Sequence, residues 1–193
     1  MCSKYGIDAP VIYSIGTSLE DVKNAPRVQK NLVVSVAGLK AAEYLKETYG
    51  TPYEVGFPFI PEEVQAASKA AVSNALTGAE DGEAVRVLII HTQFAANELR
   101  NIIRKDLNEN AVEINNATWF MQDDRYTEEG DFRLTGEDEL WEIAGSGKYD
   151  VIIADGDIER LLTAAGYKGE FATYAHFAVS GQVFDGGLTL SNM

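Results

Sequence analysis

One stretch in the middle of the chain, Arg86–Leu107, limits the possible folds more than any other: RVLIIHTQFAANELRNIIRKDL. The run Val87–Ile90 is apolar throughout, which predicts a strand buried on both faces, as in the centre of a parallel sheet. The polar turn His91-Thr92-Gln93 follows it. A helix then begins at once, with Phe94, Leu99, Ile102, Ile103 and Leu107 along one side. Parallel neighbours require crossover connections, and the downstream sequence supplies them. Ligands in such sheets bind beyond the carboxyl ends of the strands, so His91–Gln93 stand where function is expected.

The remaining elements extend this reading. Met1–Gly6 has the form of a helix's last turn with glycine just past its end, and Val11–Ile15 reads as a strand. Ser18 and Asp21 have capping-box spacing for a brief helix that stops before Pro26. Asn31–Ser35 is a strand, Gly38–Tyr49 a helix with Leu39, Ala42, Leu45 and Tyr49 inward, and Pro52–Val55 a third strand. Pro61 suits the first position of an alanine-rich helix reaching Leu76, and Thr77–Glu83 is a linker. Beyond the central strand and helix, Ala111–Phe120 is a strand and Gln122–Phe132 an acidic loop. Thr135 and Asp138 are expected to cap the helix Glu137–Ala144. Tyr149–Ala154 is a strand, Ile158–Ala165 a helix and Phe171–Tyr174 the last strand. Strands alternating with helices predict an α/β fold: an open parallel sheet, Rossmann-like and doubly wound, in three layers. Three parts are expected: 1–60 as a partial Rossmann-like domain, 61–84 as bridging helix and linker, and 85–193 as a Rossmann-like domain.

The net charge of −14 repels phosphate backbones and argues against nucleic acid as a partner. No run approaches the roughly 20 apolar residues of a membrane span, and no leader resembles a signal peptide. With a single cysteine, Cys2, the chain can form neither an internal disulfide nor a thiolate-only metal site. A cytoplasmic setting is the expectation.

Motifs for chemistry are sparse. Neither His91-Thr92-Gln93 nor Asp155-Gly156-Asp157 resembles a glycine-rich phosphate loop, and carboxylates repel phosphate. The two histidines, His91 and His176, both follow predicted strands and should face the same sheet edge. Each either satisfies its hydrogen bonds beside a cleft or contacts a ligand inside it; position alone leaves both open. Ser180-Gly181 is a polar turn without the strand–turn–helix form of a nucleophile elbow. Trp119, Phe120, Trp141, Phe171 and Tyr174 are read as core aromatics.

Three segments together resemble the nitrogenase component 1 family of oxidoreductase subunits. They are SLEDVKNAPRVQKNLVVSVAGLKAAEYLKETYGTPYEVGFPF (Ser18–Phe59), the central RVLIIHTQFAANELRNIIRKDL, and the run from LTGEDEL through KYDVIIAD to AHFAVSG. The resemblance implies a subunit of three Rossmann-like domains that holds a metal cluster or tetrapyrrole in the cleft between them. This chain would supply the end of the middle domain and most of the third. The family's cofactor-ligating cysteine, after the NLV strand, corresponds to Ser35, and its ligating histidine, before the SG turn, to His176. A hydroxyl in place of a thiolate is a poor ligand for iron in a sulfide cluster, so nitrogen fixation is not expected.

On this reading Ser35, His91, His176 and Ser180 face a cofactor or substrate cleft, with His176 the metal or substrate contact. An iron–sulfur-type metallocluster would be shared with another domain or subunit, because one cysteine and two histidines cannot assemble a redox centre alone. The expected partner is a nitrogenase-like subunit, in a homo- or hetero-oligomer. The second expectation is a non-catalytic binding or assembly module that uses the same cleft.

Overall fold

Two parallel sheets carry the chain, and the structure, a computed structural model, describes residues 2–6, 11–13, 16–79, 83–107 and 111–176. The first sheet is small. Helix α1 (Leu19–Asn24) opens on the expected box, with Asp21 N donating to Ser18 Oγ at 3.1 Å and Ser18 N donating to Asp21 Oδ2 at 2.9 Å. Strand β1 (Asn31–Val33), helix α2 (Leu39–Tyr49) and strand β2 (Tyr53–Val55) follow, and β1 pairs in parallel with β2. Gly50 ends α2 at φ +75°, a left-handed conformation that glycine adopts without steric cost. Leu39 and Ala42 are buried as expected. Tyr49, expected inward, is 56% exposed and meets Tyr44 edge-on instead, because the last helical turn overhangs a sheet of only two strands.

Residues 11–13 are not a strand, although the apolar run predicted one. A strand needs a hydrogen-bonded neighbour, and among the described residues none lies beside them; Val11, Ile12 and Tyr13 are about half exposed. Ser14 and Ile15 lie outside the described residues.

The second sheet has five strands. Helix α3 (Glu62–Gly78), with Pro61 as its N-cap and not its first residue, leads into β3 (Val85–Ile90). Then come α4 (Gln93–Asp106), β4 (Val112–Thr118), β5 (Phe132–Arg133), α5 (Glu137–Ser146), β6 (Val151–Ala154), α6 (Gly156–Ala164) and β7 (Glu170–Thr173). The strand order is β5-β4-β3-β6-β7 and every pairing is parallel. β3 is central, as its two-sided apolar run requires. The chain winds outward from β3 through β4 to β5, then returns across β3 to lay down β6 and β7. The reversal creates a topological switch point between β3 and β6.

Alternate residues of each strand feed opposite faces. Val85, Val87 and Ile89 join Val151 and Ile153 against α3 and α4, in a core that also takes in Val33, Leu39 and Phe57 of the smaller unit. Leu88, Ile90, Ile152 and Ala154 pack against Leu140 and Ala144 of α5 and Leu162 of α6. Helices on both faces of an open parallel sheet make this a Rossmann-like, doubly wound α/β fold. Each fully buried aliphatic side chain contributes roughly 1.5–3 kcal/mol through loss of water contact.

Three local features differ from expectation. β5 begins at Phe132, the last residue of the expected acidic loop, and was not foreseen, with Phe132 beside Ala117 and Arg133 beside Thr118. Gly136, not Thr135, is the N-cap of α5 and no side chain caps it; Thr135 instead gives its backbone N–H to Glu139 Oε2 at 3.0 Å and its hydroxyl to the other oxygen. Trp141, expected in the core, is 49% exposed on α5. A buried ion pair completes the β4–β5 connection. Arg100, 1% exposed, donates to Asp131 Oδ1 at 2.6 Å, and the same oxygen accepts from Asn116 N at 2.8 Å. No described helix is long and apolar enough to cross a membrane.

Candidate functional site

The carboxyl ends of the strands deliver a column of rings to one edge of the large sheet. β3 runs into His91, β4 into Trp119 and Phe120, and β7 into Tyr174, Ala175 and His176. Tyr174 and His91 are stacked, with centroids 3.9 Å apart and planes 16° apart. His91 and His176 follow at 4.7 Å with a tilt of 44°, and His176 and Phe120 at 5.1 Å and 22°. The column therefore rises from the buried Tyr174 to Phe120, which is 46% exposed. The Tyr174 amide fixes its base by donating to Ala154 O at 2.7 Å.

His91 is almost fully enclosed. Its Nε2 lies 3.2 Å from Ala175 O and its Nδ1 3.2 Å from Thr92 Oγ1. A carbonyl only accepts, so Nε2 carries the proton and Nδ1 accepts from the threonine hydroxyl; the tautomer follows from the partners. Burial first, then the neighbouring His176, push the His91 pKa down to about 4, against upward pulls from the Ala175 carbonyl and Asp155. His91 is thus neutral at physiological pH. Burial also lowers the pKa of His176, opposed by Asp155.

Asp155 organises the second side of the switch point. It caps α6, with Oδ1 accepting from Asp157 N at 3.0 Å, while Oδ2 accepts from His176 N at 2.6 Å. Carboxylate at a helix N-terminus meets the positive end of the dipole. Here it occupies the position where a Rossmann-type fold would receive phosphate, so this helix start repels a phosphorylated ligand.

The structure brings His91 and His176 together at the one carboxyl edge that all parallel strands share, although β6 lies between β3 and β7. Ser35 is placed elsewhere. It follows β1 in the smaller sheet, is exposed, and its Oγ accepts from Ala37 N at 3.4 Å as the cap of a short 3-10 turn, Val36–Gly38. Ser180 lies outside the described residues. Sequence reasoning missed the roles of Asp155 and Phe120. Asp155 reads as turn residue, and its bond to His176 spans 21 positions that no local pattern connects. Phe120 reads as core, but β4 ends at Thr118, and beyond a strand's end the alternation of faces no longer holds.

No protein-family model matches the chain, and no curated protein matches it either. Solved structures do match. One is nitrogenase Cp1 in a structure at pH 6.5, with 11% sequence identity and a TM-score of 0.49. The alignment covers 91% of this chain and 46% of that one, so this chain spans less than half of that protein's length. Likeness at this level concerns the arrangement of elements and carries no chemistry.

The chemistry of the donor set decides whether a metallocluster fits. Iron–sulfur clusters take thiolates, and Cys2 is the single cysteine. Ser35 offers a hydroxyl already engaged as a cap, and both nitrogens of His91 meet protein partners. Among the described residues, no three His, Cys, Asp or Glu side chains converge on a common point. These residues do not fit a cluster held by this chain alone.

Proposed function

We propose that this chain is a nitrogenase component 1-like domain that lines a substrate or cofactor cleft beside another domain or subunit, and that His176 is its contact residue. The ring column at the switch point carries the reading: it brings an imidazole to the sheet edge where ligands of such folds are received. His91 stands beneath as a neutral, hydrogen-bonded support for the ring of His176, which is 7% exposed under Phe120. Asp155 holds the backbone of His176 and its carboxylate favours a neutral or cationic group over an anion. In this arrangement the chain binds and orients, and any electron-carrying centre belongs to its partner.

The test is anaerobic purification of the full chain and of His176→Ala, followed by metal analysis, a visible spectrum and native mass spectrometry. The reading expects a non-protein component retained by the wild type and lost in the variant. Identical masses and spectra for the two would overturn it.

A second reading, a non-catalytic assembly module, is favoured by a different observation. Val11, Ile12, Tyr13, Leu19 and Val22 are 45–81% exposed, beside a sheet of only two strands. Apolar exposure on that scale suits burial against a nitrogenase-like partner subunit. Sedimentation of the full chain distinguishes this reading, which expects self-association that Leu19→Glu abolishes; a monomer at high concentration contradicts it.

A further inference from the structure

Away from the histidines, a groove of about 390 Å³ runs between α4 and the connector 56–61. That volume lies within the range of small-molecule sites. Its floor is apolar: Phe57, Pro58 and Ile60 from the connector, and Ile102 from α4. Phe57 and Phe59 lock edge-to-face at 5.6 Å, and Pro58 and Pro61 restrict the backbone on either side. The floor is therefore preformed, so little ordering cost falls on binding.

One end of the groove is closed and its charge is spent. The Tyr5 ring lies so close over Gly56 that a Cβ there would sit 2.3 Å from the phenol oxygen. Tyr5 Oη donates to Glu98 Oε2 at 3.1 Å, and Lys4 pairs with the other oxygen of Glu98. At the other end Asn101 and Lys105, one turn apart on α4, line the groove. Among the described residues Lys105 forms no salt bridge, and Asp106, the carboxylate that feels its charge, pairs with Lys69, so Lys105 is the groove's cation left without an ion-pair partner.

We propose that this groove binds a small carboxylate with an apolar body, the carboxylate meeting Lys105 and Asn101 and the body lying on the Phe57–Ile60 floor. The global charge of −14 opposes this ligand and favours cations everywhere on the surface. Only a local cation over an apolar floor can reverse that order. The site is independent of the histidine column.

The test is a ¹H–¹⁵N NMR titration of the full chain with hexanoate, hexanol and hexylamine at matched ionic strength. These probes share a tail and differ in head charge. Hexanoate is expected to bind tightest, with shifts centred on the amides of Phe57, Asn101, Ile102 and Lys105. Lys105→Gln, on an exposed helical position, should weaken hexanoate by about fivefold while leaving hexanol unchanged, since a partly exposed ion pair contributes on that scale. Hexylamine binding tightest, shifts centred elsewhere, or hexanoate affinity indifferent to Lys105→Gln in a variant with an otherwise native spectrum would each overturn the proposal.

Discussion

The two sheets of this chain are built from the same βαβ grammar and differ in how completely they are enclosed. The five-stranded sheet has helices on both faces, and its central strand is buried from Val87 to Ile90. The β1–β2 sheet has two short strands and one helix, with α1 burying no residue at all. Local rules were obeyed equally in both: the α1 capping box closes as well as any cap in the larger unit. What differs is burial, and burial decides which unit can hold polar chemistry rigidly. His91, Arg100 and Asp155 are fixed inside or at the edge of the enclosed sheet, whereas Ser35 on the open one serves only its own turn.

The sharpest way to break this comparison is the buried ion pair of the enclosed sheet. Asp131→Ala leaves Arg100, 1% exposed, with only the half-exposed Glu128 at 3.3 Å as counter-charge and strips Asn116 N of its acceptor, and should destabilise the chain by about 3 kcal/mol in urea unfolding. A loss below 1 kcal/mol would show that water reaches the guanidinium and that the enclosure is weaker than described.

A pH series sharpens the contrast further. His91 has its ordinary value of 6.5 when unfolded and about 4 when folded, so the unfolded chain takes up the proton first as pH falls. Stability from this residue is therefore complete above about pH 6.5 and is lost as pH falls toward 4. At pH 5 the loss should be on the order of 2 kcal/mol, and His91→Gln should flatten that part of the curve. A wild-type curve that stays level from pH 7 to pH 5 would remove the case for a desolvated imidazole.

The smallest effect belongs to the open unit. Ser18→Ala removes the α1 cap and should cost about 1 kcal/mol or less, because α1 buries nothing that global unfolding must expose. A cost near that of Asp131→Ala would mean that α1 is enclosed by something more than the described residues, and the contrast between the sheets would fail.

Legibility in the sequence followed the same division. β3 and α4 could be read at once because two-sided burial leaves an unbroken apolar run and one-sided burial a helical stripe. The meeting of His91 with His176 was legible too, since parallel strands send all carboxyl ends to one edge. β5 was not, because two residues, Phe132 and Arg133, are too few to show a period. Nor was the burial of Arg100, whose place beside Leu99 on the inner side of α4 is the one local hint and whose partner Asp131 lies in the next connection. Val11–Tyr13 misled for the opposite reason: strand propensity is present, but among the described residues no neighbouring strand lies there to satisfy it.

The central claim is that two imidazoles share one enclosed edge of the large sheet, and imidazole NMR titration tests it most directly. With His91→Gln and His176→Ala for assignment, the His91 ring should titrate near pH 4 in the wild type. In His176→Ala its pKa should rise, because a positive neighbour and part of its cover are gone. If His91 instead titrates near 6.5 and ignores the loss of His176, the two rings do not stand together and the proposed site is not there.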